Sequence, residues 1–121
     1  MSTNDTYLAV FTGTKTSPRR KAWDAMPDDE RHAKEQTGRA AWGAWVEKHQ
    51  AAIVNAGGPL GKTKRASRDG VADGANELAV FMIVRAPSHE AAAKLFEGHP
   101  HFTIFPGEAV EVMPLLPVPG A

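Results

Sequence analysis

The side chains best suited to proton transfer in this chain are its histidines, five in all, and three of them have informative neighbours. His49 follows Trp42 by seven residues and Trp45 by four, a spacing that puts all three on one face of a helix. On that face His49 looks into the space between helix and sheet, where burial tunes an imidazole for acid/base work or for holding a ligand. The same position also suits a core histidine satisfied by one partner. Trp42 and Trp45 divide in the same way, as the apolar wall of a pocket for a ring-shaped molecule or as core. His99-Pro100-His101 spaces two imidazoles to share one strand face and hold a metal, but Pro100 opposes a regular strand and no carboxylate is adjacent, the nearest being Glu97 and Glu108. Neither a metal nor a cofactor is expected. The catalytic candidates are therefore His49 and His99; the ligand-binding candidates are Trp42, Trp45, His101 near the cavity mouth, and Asp73, whose Asp73-Gly74 pair otherwise reads as a turn between strands.

Other motifs fail on context. Ala56-Gly57-Gly58-Pro59-Leu60-Gly61-Lys62-Thr63 has the outline of a phosphate-binding loop, yet that loop must follow a strand and open a helix, and here a helix precedes and a basic strand follows. Pro59 also removes an N–H that would face a phosphate. Lys62, Lys64, Arg65 and Arg68 form a local basic run, read as the charge that protects a sheet edge because no aromatic residues are interleaved. Serine and threonine show no nucleophile-elbow sequence. The absence of cysteine excludes disulfides, thiolate metal sites and cysteine nucleophiles. Fourteen Lys plus Arg against fourteen Asp plus Glu leave a net charge of zero, which disfavours nucleic acid and acidic membranes as partners.

These residues need a scaffold, and 121 residues that are 42% hydrophobic suffice for one domain, 1–121. Tyr7–Phe11 and Leu78–Val84 are unbroken apolar runs that read as strands covered on both faces, whereas Leu60–Ala66 and Ala109–Met113 carry charge and read as edge strands. Between the first two strands, Trp42, Trp45, Val46, His49, Ala52, Ile53 and Ala56 predict one amphipathic helix ending at Gly57-Gly58. Ser88 predicts the cap of a second, short helix that Gly98 and Pro100 end. The order β-α-β-β-α-β is the ferredoxin-like α+β sandwich, whose first and third strands are central, as these two apolar runs require. Residues 14–38 form a polar insertion with a helix starting after Pro27, and Trp23 and Met26 anchor it. No apolar run reaches the roughly 20 residues of a membrane span, and Met1–Thr6 lacks the pattern of a secretory leader, so a cytoplasmic setting is expected and the Asn4-Asp5-Thr6 sequon carries no weight.

Tyr7–Phe11, Ala56-Gly57-Gly58-Pro59-Leu60, Asp73-Gly74, Ala86-Pro87-Ser88-His89-Glu90-Ala91-Ala92 and Val110-Glu111-Val112-Met113-Pro114, taken in order and spacing, resemble the YCII-related family of small bacterial proteins. The likeness spans the chain outside the insertion. It implies a ferredoxin-like domain that pairs as a dimeric α/β barrel, with a cavity in which many members place a helix histidine and an aspartate before a proline. Here the helix position falls near Trp45, one turn before His49, and His99-Pro100 stands where Asp-Pro is expected.

A sheet with helices on one side leaves an apolar face that a small monomer must bury, so a homodimer is expected. The leading functional expectation is a homodimer binding a small aromatic or anionic molecule in a helix–sheet cavity. Two others remain: a cofactor-free acid/base enzyme of isomerase or lyase type using a cavity histidine, and a regulatory or scaffolding dimer whose cavity is filled by side chains.

Overall fold

The computed structural model describes residues 5–119; the leader reading of Met1–Asn4, the sequon's asparagine and the last tail residues 120–121 lie outside them. The elements run β1 (Asp5–Thr12), α1 (Pro18–Ala25), α2 (Asp28–Lys48), β2 (Ile53–Pro59), β3 (Thr63–Ser67), β4 (Gly70–Gly74), β5 (Leu78–Ala86), α3 (His89–Lys94), α4 (Pro100–Thr103) and β6 (Ala109–Pro114). A four-stranded antiparallel sheet has the order β2-β5-β1-β6, the ferredoxin-like arrangement, with the two apolar strands in the middle. Alternation along β1 sends Tyr7, Ala9 and Phe11 into the core opposite Val84, Met82 and Val80 of β5. The intervening Leu8 and Val10 face the other way, paired with Ile83 and Phe81.

The first helix is built differently from the sequence expectation. Ser17 caps α1, its Oγ accepting from the Arg20 N–H, with Pro18 in the first turn. A single 21-residue helix, α2, then runs from Asp28 to Lys48, about 31 Å long, so the insertion's helix and the tryptophan-bearing helix are one. Asp28, Asp29 and Glu30 occupy its first turn, where carboxylates complement the helix dipole. It stops at His49 rather than Gly57. Ala52, Ile53 and Ala56 continue the helical spacing, but Ile53 and Val54 are β-branched, and the edge of β5 offers hydrogen bonds that a longer helix would leave unmade. After one 3₁₀ turn at Gln50–Ala52 the chain enters β2.

The second edge strand is accordingly Ile53–Pro59, not Leu60–Ala66. Thr63–Ser67 instead pairs with Gly70–Gly74 in a separate hairpin, whose turn is at Arg68-Asp69. Asp73 therefore lies within a strand opposite Lys64, with which it is ion-paired, and not in a turn. Ser88 does cap α3, accepting from the Ala91 N–H at 3.0 Å.

The register of β2 on β5 shifts twice between Ile53 and Gly58, and Gly57 absorbs the irregularity with φ +62°. A Cβ at Gly57 would overlap the backbone carbonyl of Phe81, whereas one at Gly58 meets nothing. Gly57→Ala is expected to cost about 2–4 kcal/mol and Gly58→Ala to stay within about 0.5 kcal/mol, read from urea midpoints. Equal midpoints for the two variants would contradict this geometry.

Candidate functional site

Aromatic rings gather where the second half of α2 crosses the sheet. Phe11 on β1 stacks on Trp42 at 5.3 Å, and Trp45 stacks on Phe96 at 5.1 Å. His99 stands among them, edge-on to Trp42 at 4.5 Å, with Trp45 at 4.7 Å and Phe11 at 5.0 Å. Trp45 is fixed from outside the ring cluster by its indole N–H, which donates to the Leu95 carbonyl at 3.1 Å. His49 closes α2: its Nδ1–H donates to the Trp45 carbonyl at 2.9 Å while its half-buried ring lies on Trp45 at 4.4 Å.

The hydrogen bonds assign the protons of the two inner histidines. His99 Nδ1 accepts the backbone N–H of His101 at 3.0 Å, capping α4, so the ring carries its proton on Nε2. That Nε2 is buried and has no hydrogen-bond partner among the described residues. Burial first, then the neighbouring His101 and His49, lowers the His99 pKa to about 4. His99 is thus a neutral ring with no free lone pair and no exposure to solvent.

His101 has the opposite arrangement. Its Nε2–H donates to the Thr12 carbonyl at 2.8 Å, which leaves the lone pair on Nδ1. Among the described residues no group bonds to that Nδ1, and unlike His99 Nε2 it is not sealed from solvent. Burial holds the His101 pKa below its ordinary value; the Thr12 hydrogen bond partly opposes this, and the Arg19 guanidinium adds to it. Arg19 also ties α1 to the following loop, donating to the carbonyls of Gly107 and Phe105 at 3.0 Å each. Gly107 must be glycine here, because a Cβ would strike the His101 ring and its carbonyl.

Two clefts open beside the cluster. One, of about 820 Å³, is bordered by Lys15, Arg20, Glu35, Arg39, Glu77 and His101 among others; the second, of about 510 Å³, is walled by Trp42, Pro59, Val80 and Phe105. Arg39 and Phe105 border both. Arg39 pairs with Glu35 at 3.3 Å and Arg20 with Asp24 at 3.0 Å, while Lys15 has no ion pair among the described residues.

The expected cavity is therefore displaced. Between α2 and the sheet the space is filled by rings, with His99 at the centre rather than near a mouth. Trp42 and His101 border open volume; His49, Trp45, His99 and Asp73 line neither cleft. Lys15, Arg39 and Phe105 were missed. Arg39 had a signal, since it precedes Trp42 by three residues and shares its face, but its i,i+4 spacing from Glu35 reads equally as a helix-stabilising pair. No group of three or more His, Cys, Asp or Glu side chains among the described residues is arranged to hold a metal.

The buried neutral His99 has a consequence for acid stability. Above pH 6.5 it is neutral whether the chain is folded or not; as pH falls toward 4 the unfolded chain takes a proton that the folded one refuses. Stability should fall by up to about 3 kcal/mol over that window from this group, with His101 acting in the same direction. His99→Asn keeps an acceptor for the His101 N–H and removes the titration, so urea melts at stepped pH should show a shallower loss for the variant. Parallel curves for the two proteins would show that His99 is not the group responsible.

Comparison with known proteins returns fold neighbours alone. No protein-family model and no curated protein matches the chain. Among solved structures, 5-chloro-2-hydroxyhydroquinone dehydrochlorinase (TftG) from Burkholderia phenoliruptrix AC1100, in complex with 2,5-dihydroxybenzoquinone, is 20% identical over 89% of this chain and 90% of its own, with a TM-score of 0.48. Rv0793 from Mycobacterium tuberculosis is 16% identical over 98% of each chain, with a TM-score of 0.35. The fold assignment rests on the strand order and register of this chain itself.

Proposed function

We propose that the protein is a homodimer that binds a small aromatic anion in the joined clefts beside α2. The observation that carries this reading is the sharing of Arg39 and Phe105 by both compartments. An apolar slot walled by Trp42, Pro59, Val80 and Phe105 accepts a planar ring, and it opens past Arg39 toward Lys15 and Arg20, where an acidic substituent finds cations. Glu35 and Glu77 on the same wall reject a second negative group, which favours a ligand of low charge.

The sheet supports the dimer. Helices cover one face, and the other presents the half-buried Leu8, Phe81 and Ile83 around an already buried Val10, with Met113 beside them 39% exposed. A second copy laid face to face buries those residues on both chains at once.

Calorimetric titration with a series of substituted benzoates should find one site per chain, and Arg39→Met should weaken the best of them about tenfold, or about 1.4 kcal/mol. A series without a binder, or an Arg39→Met variant that binds as tightly as the parent, would refute the site. Sedimentation should give a dimer that Ile83→Lys converts to monomer, since a charge at the centre of the buried face has no partner. A parent protein that sediments as a monomer would refute the pairing.

A further inference from the structure

We propose that His101 is the proton acceptor of the cleft, and that the ligand it serves carries an acidic O–H, as in a phenol or a stable enol, next to its anionic group. The inference rests on the cleft reading above and adds what the site does to its ligand.

The argument starts from the two nitrogens. His101 Nε2–H is committed to the Thr12 carbonyl at 2.8 Å, and Gly107 packs against that side of the ring so closely that a Cβ there is excluded. The ring is therefore held in one tautomer, and the remaining lone pair is on Nδ1. The residue is 7% exposed, yet it borders the larger cleft, and Nδ1 has no partner among the described residues. A lone pair without a protein partner, on a residue that borders a cleft and is not sealed from solvent, is a group that a ligand can satisfy. A carbonyl or an ionised oxygen could not do so, because Nδ1 only accepts, so the complementary ligand group is a donor.

The surroundings make that donor an acid rather than an alcohol. Lys15 and Arg39 border the same cleft and favour an oxyanion there, while the Arg19 guanidinium of α1 disfavours a positive imidazole unless that oxyanion forms beside it. Burial keeps the ring unprotonated before the ligand arrives. On transfer the ligand's O–H bond breaks, its electron pair stays on the oxygen, and an N–H bond forms at Nδ1. The resulting oxyanion lies in the compartment that carries Lys15 and Arg39, and no further reactant is needed. His99, with its Nδ1 occupied and its Nε2–H enclosed, has no lone pair to offer this step.

The test uses 4-hydroxy-3-nitrobenzoate, whose phenol and phenolate absorb at different wavelengths, titrated into the full-length protein labelled with ¹⁵N histidine. The expected result is a bound probe enriched at least fivefold in phenolate over free probe at the same pH, with the His101 Nδ1 resonance moving from the lone-pair to the protonated position. His101→Gln should remove the enrichment. A probe that binds as phenol, or as phenolate while His101 Nδ1 stays unprotonated, overturns the proton transfer and leaves the binding site standing. A probe that does not bind the parent protein removes the site itself and this inference with it. The resonance of the parent protein decides the question even where the glutamine variant does not fold.

Discussion

The hydrogen bond from His101 Nε2 to the Thr12 carbonyl joins positions 89 residues apart, and much of the site hangs from it. Thr12 is the last residue of β1, so the bond clamps α4 and the loop after it onto the end of a central strand. That loop then returns to the sheet, with the Glu108 N–H donating to the same Thr12 carbonyl and the Thr12 hydroxyl donating to the Ala109 carbonyl. Phe105 and Gly107 are held in the segment so closed, where Arg19 of α1 reaches their carbonyls. One carbonyl thus sets where β6 begins and where both clefts find a shared wall.

The rings explain why open volume lies beside the helix and not under it. Phe11, Trp42, Trp45 and Phe96 are large enough to fill the gap between α2 and the sheet, and His99 fills the remainder at the centre. Close approach is possible further along the same helix because Gly38 presents no side chain; a Cβ there would collide with the ring of Phe105. Phe105 is consequently brought against α2 just one turn before Trp42, and the groove between them and the end of β2 remains open. The second cleft is a product of one small and one large residue on α2, Gly38 and Trp42, and one large residue, Phe105, on the segment packed against it.

Legibility in the sequence followed physical locality. The central strands were readable because they carry apolar side chains on both faces and so leave continuous apolar runs, and Ser88 was readable because capping is decided within four residues. Ala52, Ile53 and Ala56 misled because apolar residues at helical spacing also fit an irregular edge strand and the turn before it, and the choice is made by β5, some 25 residues away. Asp73-Gly74 misled in the same way, since its pairing with Lys64 and Thr63 belongs to a hairpin whose turn is marked equally well by Asp69-Gly70. Of the site, Trp42 and His101 were legible as residue types on a face or in a motif. Phe105 was not, because nothing local distinguishes a phenylalanine that closes a cleft from one that fills a core.

The least economical group in the structure is the enclosed N–H of His99, and its retention has a geometric reason. An asparagine at position 99 would cap α4 as well, since it offers the same acceptor to the His101 N–H. It would not offer a plane to pack against Trp42, Trp45, Phe11 and Phe96, whose rings surround the imidazole at 4.5 to 6.0 Å. Histidine is the residue that both caps through one edge and packs as an aromatic ring, and the unpaired Nε2–H comes with that combination. Aromatic faces soften the cost, because the negative face of a ring is a weak acceptor for an N–H. The same choice separates the two imidazoles: with His99 Nδ1 turned to the backbone of residue 101, the first histidine supports the helix start inside the core, and the second borders the larger cleft.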